Sequence, residues 1–371
     1  MVNTFKNLGV PKKYIEALEA LGITEPTPIQ IETLGYLLKE SGDFVGQAQT
    51  GTGKTLAFSI PILSKINPQS SQIQALILTP TRELAKQISA HIFKYTKFSE
   101  KIFCEAVFGG EQIDKQIKNL SRTTHILVGT PGRIEELIKR KVLDLSQIKT
   151  LVLDEADEML SLGFESEIKK VFVHLPQEKN TWLFSATMPQ NLKLLITNHL
   201  RDNPKTVLLS QKSVVNPGIE HQYVKCTEED RDFFIFTFLR AMGKKRGILF
   251  CRTKSDALAL CVSLKEKGIV SEVLHGDMTQ KERDKMMRAI ASDKNSILIT
   301  TDVFARGIDL LDLAYVVHHK LPKENDYYIH RSGRTARAGK KGISIAFCTQ
   351  RDLKRLYEIE NALKIRFLQI K

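Results

Sequence analysis

The 371-residue sequence lacks the features that mark a membrane-spanning, secreted or zinc-centred protein. No apolar run approaches the roughly 18 residues that a membrane helix needs, and the segment Met1–Lys6 opens without the hydrophobic stretch of a secretory signal. The five cysteines are an odd number and include no C-x-x-C pair, which argues against a disulfide framework and a zinc module. We therefore expect a cytoplasmic protein with reduced thiols.

Acidic residues are outnumbered by basic ones, and the imbalance is concentrated in the second part of the chain. Residues 1–207 carry 25 Lys and Arg against 22 Asp and Glu, whereas residues 208–371 carry 30 against 20, giving a net charge of +13. Such a surplus suggests a polyanionic partner, because binding releases the counterions condensed on a polyanion. Taken alone the signal is weak, since many basic proteins bind no nucleic acid.

Short β-branched apolar runs alternate with longer amphipathic stretches, which is typical of a parallel sheet covered by helices on both faces. The predicted strands are Ala75–Thr79, His125–Val128, Thr150–Leu153 and Thr181–Phe184, followed by Gly247–Cys251, Ser296–Thr300, Tyr315–His318 and Ile343–Phe347. Arg82–Lys97 has apolar residues at four-residue spacing and is predicted to be a helix. A last helix is expected near Leu353–Leu363, where the pattern stops.

The polar segment Leu208–Gly218, which ends in Asn-Pro-Gly, separates the two series of strands. We interpret residues 1–207 and 219–371 as two doubly wound α/β domains and residues 208–218 as their linker. The competing interpretation is one large sheet. It would need about a dozen strands, which exceeds the usual size of an open sheet.

A glycine-rich segment, Ala48–Thr55, follows a short apolar stretch and precedes a helical pattern, as a phosphate-binding P-loop does. Its glycines let backbone N–H groups turn toward phosphate oxygens at the positive end of a helix. In this interpretation Lys54 binds the β- and γ-phosphates, and the Thr55 hydroxyl is a ligand of Mg²⁺. The alternative is an ordinary Gly-rich turn between a strand and a helix.

Two adjacent acids, Asp154 and Glu155, directly follow an apolar run. Their position predicts the carboxyl edge of a parallel sheet, where such sheets bind ligands. Asp154 can hold Mg²⁺ through water, and Glu155 can polarise an attacking water. Helix capping is the leading alternative for Asp157 and Glu158 and the minority interpretation for the first pair.

The second part of the chain has no Gly-Lys-Thr loop, so we do not expect it to bind a nucleotide by itself. Its arginines at three-residue spacing, Arg331, Arg334 and Arg337, are predicted on neighbouring turns of one helix face. They are either arginine fingers that reach a γ-phosphate across a cleft or a solvated basic face that contacts nucleic acid. The first part offers no such arginine, which favours the fingers and hydrolysis that requires domain closure.

Together these motifs resemble the DEAD-box RNA helicases of helicase superfamily 2, from about Phe5 to the C-terminus. The family name is spelled at Asp154–Asp157. The other matching motifs, in the family's order, are Gly22–Gln30, Ala48–Thr55, Pro80–Ala85, Gly109–Gly110, Thr130–Arg133, Ser185–Thr187, Gln280–Arg283, Thr301–Asp309 and His330–Gly339. The resemblance implies two tandem RecA-like domains with doubly wound parallel sheets.

The resemblance also implies the residues of the site. ATP would be bound by Ile23, Gln30, Ala48, Gln49, Thr50, Gly51, Thr52, Gly53, Lys54, Thr55, Gly307 and Asp309. RNA would be bound by Thr81, Arg82, Gly110, Thr130, Arg133, Arg252, Thr253, Gly276, Asp277, Arg283 and Thr301. Catalysis would fall to Lys54, Asp154, Glu155, Arg334 and Arg337, with Thr55 and Asp154 on the metal, and coupling to Asp157, Ser185, Thr187 and His330.

One departure concerns Ile23, because the family usually has an aromatic residue there. Ile23 can pack against a purine without aromatic stacking, which would weaken nucleotide binding somewhat, or simply pack under its own loop.

The activity implied is that of an ATP-dependent RNA helicase with ATP and Mg²⁺ as cofactors. ATP and single-stranded RNA would close the two domains on a bent strand, which cannot remain in a duplex, and hydrolysis would release it. Contacts with sugar and phosphate carry little sequence preference, so protein partners would direct the enzyme to particular RNAs. The alternatives are an ATP-dependent RNA clamp with little unwinding and a DNA-translocating helicase, which the adenine motif weighs against.

Overall fold

The computed structural model describes residues 4–49, 51–201, 203–209, 215–275, 277–278, 282–283, 285–286, 290, 297–302, 313–336 and 340–370. The chain divides into two compact units, Met1–Ser210 and Gln211–Lys371. Each unit is built around its own seven-stranded sheet, and every strand pairing in the described parts is parallel. The expectation of two doubly wound sheets is therefore confirmed, and the single large sheet is excluded.

The N-terminal unit has strands in the order β3-β4-β2-β5-β6-β1-β7. Its strands are β1 (Phe44–Gln47), β2 (Ala75–Leu78), β3 (Cys104–Val107), β4 (Ile126–Gly129), β5 (Thr150–Leu153), β6 (Asn180–Ser185) and β7 (Lys205–Leu208). Its helices are α1 (Lys12–Ala20), α2 (Pro28–Leu37), α3 (Lys54–Lys65), α4 (Arg82–Tyr95), α5 (Ile113–Leu120), α6 (Pro131–Lys139), α7 (Ala156–Ser161), α8 (Glu165–Val173) and α9 (Gln190–His199).

The C-terminal unit repeats this strand order with the next seven strands, as β10-β11-β9-β12-β13-β8-β14. Its strands are β8 (Ile219–Lys225), β9 (Gly247–Phe250), β10 (Ser271–Leu274), β11 (Ile297–Thr300), β12 (Tyr315–His318), β13 (Gly342–Cys348) and β14 (Leu368–Ile370). Its fully described helices are α10 (Arg231–Met242), α11 (Lys254–Glu266), α12 (Asn325–Ser332) and α13 (Asp352–Leu363).

Burial on both faces of each sheet explains why the central strands are almost continuously apolar. In β2, Ala75 and Ile77 belong to one core cluster, whereas Leu76 and Leu78 belong to the cluster on the opposite face. Alternate residues of a strand point to opposite faces, so both must be apolar when helices cover both. Because the strands are parallel, their carboxyl ends lie side by side at one edge of each sheet.

All eight predicted strands are present, each within one residue of its expected ends, and the predicted helix Arg82–Lys97 ends at Tyr95. The expectation that the helix near Leu353–Leu363 is the last element was wrong, because β14 follows it and pairs with β8 at the sheet edge. Strand β7 includes Leu208, the first residue of the segment expected as linker. Among the described helices, none is both long and apolar enough to cross a membrane.

Candidate nucleotide site and RNA-binding surface

The sheet of the N-terminal unit brings the three predicted nucleotide motifs to one place. Strands β5, β6 and β1 are adjacent, and each is followed at its carboxyl end by one motif. These are Asp154–Asp157 after β5, Ser185–Thr187 at the end of β6 and the P-loop after β1. The carboxyl edge of a doubly wound sheet is where such folds bind ligands.

The P-loop has the backbone geometry of an anion cradle. Gly51 and Gly53 have φ angles of 81° and 91°, which glycine adopts readily and other residues rarely do. Helix α3 begins at Lys54, so its positive end faces the loop. The Lys54 ammonium is buried and donates to the Ala48 carbonyl at 2.9 Å, inside the loop that would hold phosphate. Thr50 lies outside the described residues.

The adenine motif is bonded directly to this loop. Gln30 Nε2 donates to the Gly53 carbonyl at 3.1 Å, and Thr27 Oγ1 donates to the Thr52 carbonyl at 2.7 Å. A Cβ added to Gly53 would lie 2.2 Å from Gln30 Nε2, so only glycine fits this close approach. Ile23 is half-buried and packs against the core, which agrees with its packing interpretation.

Asp154 and Glu155 occupy an electrostatically unusual turn. Burial raises the pKa of the Asp154 carboxyl to about 7, while the nearby Lys54 ammonium opposes the shift and Glu155 adds to it. Glu155 has φ 52° and ψ 51°, a left-handed conformation that costs a residue with a side chain about 1–3 kcal/mol. Its backbone N–H donates to Asp154 Oδ1 at 3.0 Å. Strain of this kind persists where the surroundings hold a functional group in place.

The last acid of the motif is tied to the end of β6. Asp157 Oδ2 accepts from the Thr187 backbone N–H at 2.9 Å and from its hydroxyl at 2.8 Å. Ser185 Oγ donates to the Thr187 carbonyl at 2.7 Å and accepts from the Asp157 N–H at 3.3 Å. Three of the four residues predicted to couple the nucleotide site, all but His330, therefore form one buried hydrogen-bonded cluster.

The other half of the same sheet edge carries the predicted RNA residues. Strands β3, β4 and β2 are adjacent, and the loops after them contain Gly110, Thr130 and the pair Thr81 and Arg82. Thr81 caps α4 by accepting from the Leu84 N–H at 3.3 Å. Gly110 has φ 83°, and a Cβ on it would lie 2.6 Å from an Arg82 guanidinium nitrogen. The bare Gly110 backbone thus lies directly beside Arg82.

Arg133 was expected to bind RNA, yet its guanidinium is nearly buried among protein groups. It donates to Gln116 Oε1 at 2.7 Å and to the Glu111 carbonyl at 3.1 Å. Gln116 in turn donates to the Phe108 carbonyl at 3.1 Å and to Glu111 Oε2 at 3.0 Å. Gln116 and Arg133 therefore fasten both ends of the turn that carries Gly110.

Gln116, which the motifs did not single out, supports the turn that carries the predicted RNA residue Gly110. A signal was present, because Gln116 lies among Ile113, Ile117 and Leu120 on the apolar face of α5, where a polar residue needs a partner.

The C-terminal unit places its predicted RNA residues in the corresponding loops. Thr253 caps α11 after β9 by accepting from the Asp256 N–H at 3.1 Å, and Arg252 beside it is exposed. Asp277 follows β10 and pairs with Lys254, whose hydrogen bond lowers the Asp277 pKa. Thr301 follows β11, and Arg283 is buried. Gly276 lies outside the described residues.

The expectation that three arginines share one helix face was wrong. Helix α12 ends at Ser332 and is capped at Gly333, so Arg334 lies in the turn beyond the helix. Arg331, in the last turn, donates two hydrogen bonds to the Asp302 carboxylate at 2.5 and 2.7 Å. This ion pair, which the motifs did not predict, fixes α12 to the residue after Thr301.

Arg334 is nearly buried, and His330 is half-buried in α12. Arg337, Gly307 and Asp309 lie outside the described residues.

A P-loop, an acidic pair after a neighbouring strand and a serine–threonine cluster on one sheet, followed by a second unit of the same topology, define a two-domain P-loop NTPase of the helicase type. The sequence matches the DEAD/DEAH box helicase family over residues 27–195 and the helicase conserved C-terminal domain over residues 232–339. The chain belongs to the DEAD-box family of ATP-dependent RNA helicases.

Individual relatives match along nearly the whole chain. DEAD-box ATP-dependent RNA helicase CshA of Geobacillus kaustophilus is 38% identical over 100% of this chain and 79% of that protein. ATP-dependent RNA helicase CshA of Listeria monocytogenes is 39% identical over 98% of this chain and 69% of that protein. Among solved structures, S. cerevisiae Dbp5 bound to RNA and ADP BeF3 has a TM-score of 0.91 at 32% identity, covering 99% of this chain and 95% of that one. Mss116p bound to ssRNA and AMP-PNP has a TM-score of 0.91 at 27% identity, covering 100% and 80%.

Proposed function

We propose that this DEAD-box helicase binds single-stranded RNA and locally unwinds short RNA duplexes, using ATP held at the loops after β1, β5 and β6. The observation that carries the proposal is the division of one sheet edge, with nucleotide motifs on β5, β6 and β1 and RNA motifs on β3, β4 and β2. Strands β2 and β5 are neighbours, so the two sets of loops meet. RNA and nucleotide can therefore influence each other through adjacent backbone segments.

ATP binding is assigned to the P-loop and the adenine motif. The Gln30 bond to the Gly53 carbonyl supports this, because an amide that holds the loop can also present its edge to adenine. The proposed nucleotide-binding residues are Ile23, Gln30, Ala48, Gln49, Thr50, Gly51, Thr52, Gly53, Lys54, Thr55, Gly307 and Asp309. Lys54 would exchange the Ala48 carbonyl for phosphate oxygens when ATP enters.

The described residues fit Mg²⁺ as the second cofactor. Mg²⁺ usually takes one or two protein ligands and completes its octahedron with water and phosphate oxygens, so Thr55 and Asp154 suffice. Accordingly, the described chain needs no cluster of three ligating side chains, and it has none. The Asp154 carboxyl is buried, and a cation bound beside it would favour its ionised form. When bound, Mg²⁺ neutralises charge on the β- and γ-phosphate oxygens.

Hydrolysis is assigned to groups from both units. Glu155 would orient and polarise the attacking water, and its strained backbone supports a fixed role for that carboxylate. Arg334 and Arg337 would act as arginine fingers on the γ-phosphate, so that turnover needs both units. Asp157, Ser185, Thr187 and His330 would link this event to domain closure.

RNA binding is assigned to loops that expose backbone and hydroxyl groups to sugar and phosphate. The proposed residues are Thr81, Arg82, Gly110, Thr130, Arg252, Thr253, Gly276, Asp277, Arg283 and Thr301, with Arg133 acting through the Gly110 turn. The RNA named in the Dbp5 and Mss116p structures supports the same class of ligand for this chain. Protein partners that choose particular RNAs and a cytoplasmic location remain predictions.

The test is the ATPase rate of the full chain with no nucleic acid, with several single-stranded RNAs and with DNA of matched sequence. We expect stimulation by RNA and little by DNA, and loss of turnover in Lys54→Ala. Equal rates under all conditions would contradict the proposal. A strand-displacement assay separates unwinding from the alternative of an RNA clamp, which would bind RNA with ATP but displace no strand.

A further inference from the structure

A groove of about 1020 Å³ lies on the N-terminal unit, away from the site described above. It is bordered by the end of α1, the last turn of α4, the segment that leads into β3 and the segment before β4. β3 begins beside the groove and ends at the turn that carries Gly110. The groove therefore lies toward the amino ends of the strands, opposite the edge that carries the motifs.

Exposed aromatic rings and cations line this groove. Phe93 is 79% exposed and Phe103 is 48% exposed, although phenylalanine is normally buried. The lining cations are Lys94, Lys97, Lys101 and Arg122, all exposed. Within the described chain, no carboxylate forms an ion pair with any of these four side chains.

The two carboxylates that line the groove already have partners within the protein. Glu100 pairs with Lys13 at 3.1 Å, and Glu105 accepts a hydrogen bond from Asn119 at 2.9 Å. The local charge therefore favours an anionic ligand, while the rings offer flat apolar faces. Phe103 already stacks on His125 with ring centroids 5.6 Å apart, which leaves its other face for a ligand.

Helix α4 connects this groove with the proposed RNA track. Arg82, Lys86, Ala90 and Lys94 follow one another at four-residue spacing and lie along one surface of the helix. The 14 residues of α4 span about 20 Å at 1.5 Å per residue. Three cations, Arg82, Lys86 and Lys94, thus lie between the first RNA motif of the unit and the exposed rings, although Arg82 pairs with Glu83 at 2.9 Å.

We propose that the groove is a second binding site for single-stranded RNA, which stacks bases on Phe93 and Phe103 and holds phosphates with the surrounding lysines. Aromatic platforms in a basic groove bind single strands without sequence preference, because every base has a π-face. The proposal rests on the RNA-binding function proposed above and extends it. The site needs neither nucleotide nor the C-terminal unit, so it keeps an RNA tethered while the core track releases it.

The proposal is tested by fluorescence anisotropy with a short oligouridine that fills only the core track and a longer one that also reaches the groove. Without nucleotide, Phe93→Ala should weaken binding of the longer RNA about fivefold or more, since one stacked base contributes about 1–3 kcal/mol. The triple variant Lys94→Ala/Lys97→Ala/Lys101→Ala should lower the salt slope for single-stranded RNA by about 2. The ATPase stimulated by the short RNA should stay at the wild-type rate in both variants.

Matched controls are available in the same chain. Phe233→Ala removes a ring that is 56% exposed in the C-terminal unit, and Lys12→Ala/Lys39→Ala/Lys205→Ala removes three exposed cations from other surfaces of the N-terminal unit. If the groove variants bind the longer RNA as tightly as these control variants, the proposal is overturned. An acidic protein segment would then be the alternative ligand of the groove. Loss of short-RNA stimulation in Phe93→Ala would also overturn it, because the groove would then belong to the core track. Wild-type protein that no RNA stimulates would instead refute the proposed function itself.

Discussion

Replacing Gln116 with leucine should destabilise the N-terminal unit and weaken RNA binding together. Gln116 is 1% exposed and makes three hydrogen bonds, to Phe108, Glu111 and Arg133. Leucine has a similar volume but no polar group, so the change removes the bonds without opening a cavity. The Gly110 turn then loses the contact that fastens it at both ends.

The magnitude follows from the partners. Two of the three bonds involve an ionised group, each contributing about 1.5–3 kcal/mol, and the bond to the Phe108 carbonyl contributes about 0.5–1.5 kcal/mol. Glu111 keeps its Lys115 partner at 2.7 Å, whereas the buried Arg133 guanidinium loses a partner. The contributions are not additive, so we expect a loss of about 3–5 kcal/mol in the free energy of unfolding. RNA affinity should fall about tenfold, which corresponds to one phosphate contact of about 1.4 kcal/mol.

The single tryptophan makes the measurement specific to one unit. Trp182 is fully buried in β6, so its fluorescence during urea unfolding reports the N-terminal unit alone. The matched control is Gln112→Leu, four residues earlier, where the side chain is exposed and forms no capping bond. A Gln116→Leu midpoint and RNA affinity equal to those of Gln112→Leu would refute the reasoning. Lower stability with unchanged RNA affinity would show that the Gly110 turn does not contribute to RNA binding.

Three further predictions concern hydrolysis and pH. Glu155→Gln should bind ATP and RNA but hydrolyse slowly and hold RNA in a long-lived complex; rapid RNA release with ATP would contradict its role as base. Arg334→Ala should lower kcat by about 10³ with ATP affinity retained, whereas Arg351→Ala, at an exposed position, should not change it. Burial lowers the pKa of His221 to about 4 and that of His318 well below its usual value, so the unfolded chain binds more protons below pH 6.5. The free energy of unfolding of the C-terminal unit should therefore fall from pH 6.5 toward pH 4, by up to about 1.4 kcal/mol per pH unit for each histidine. His221→Gln should flatten the dependence of melting temperature on pH. An unchanged slope in this variant would refute the role given to His221.

The strands that could be predicted are those whose residues are buried on both faces. Runs such as Thr150–Leu153 are continuously apolar because helices cover both sides of the central strands. Strands β3, β7, β10 and β14 escaped prediction because they lie at sheet edges or carry exposed residues, and β14 is exposed throughout. Strand β8 escaped because it alternates buried and exposed positions beside such an edge.

The residues of the site, like the strands, could be predicted only in part from the sequence. Motif spacing predicted the P-loop and the acids because these residues are close in sequence and their chemistry is local. The Gln30–Gly53 bond spans 23 residues and the Gln116–Arg133 bond spans 17, so both depend on how helices return to the sheet. The three-residue spacing of the arginines gave the wrong prediction of a shared helix face for a related reason. Arg331 pairs with the half-buried Asp302 carboxylate, and the helix ends at Ser332, before the next arginine.

The repeated strand order shows that the sheet alone does not create the phosphate site. In both units a threonine caps the helix after the second strand, Thr81 in one and Thr253 in the other, so this loop geometry is shared. After the first strand the units differ. The N-terminal unit has the glycines and lysine of the P-loop, whereas Cys226–Asp230 contains three acids and no glycine. Acids there repel phosphate, and residues with a Cβ resist the left-handed turns that Gly51 and Gly53 supply. Under the proposed assignment, each unit therefore has its own loops for an RNA backbone, whereas only the N-terminal unit has the residues of a triphosphate site.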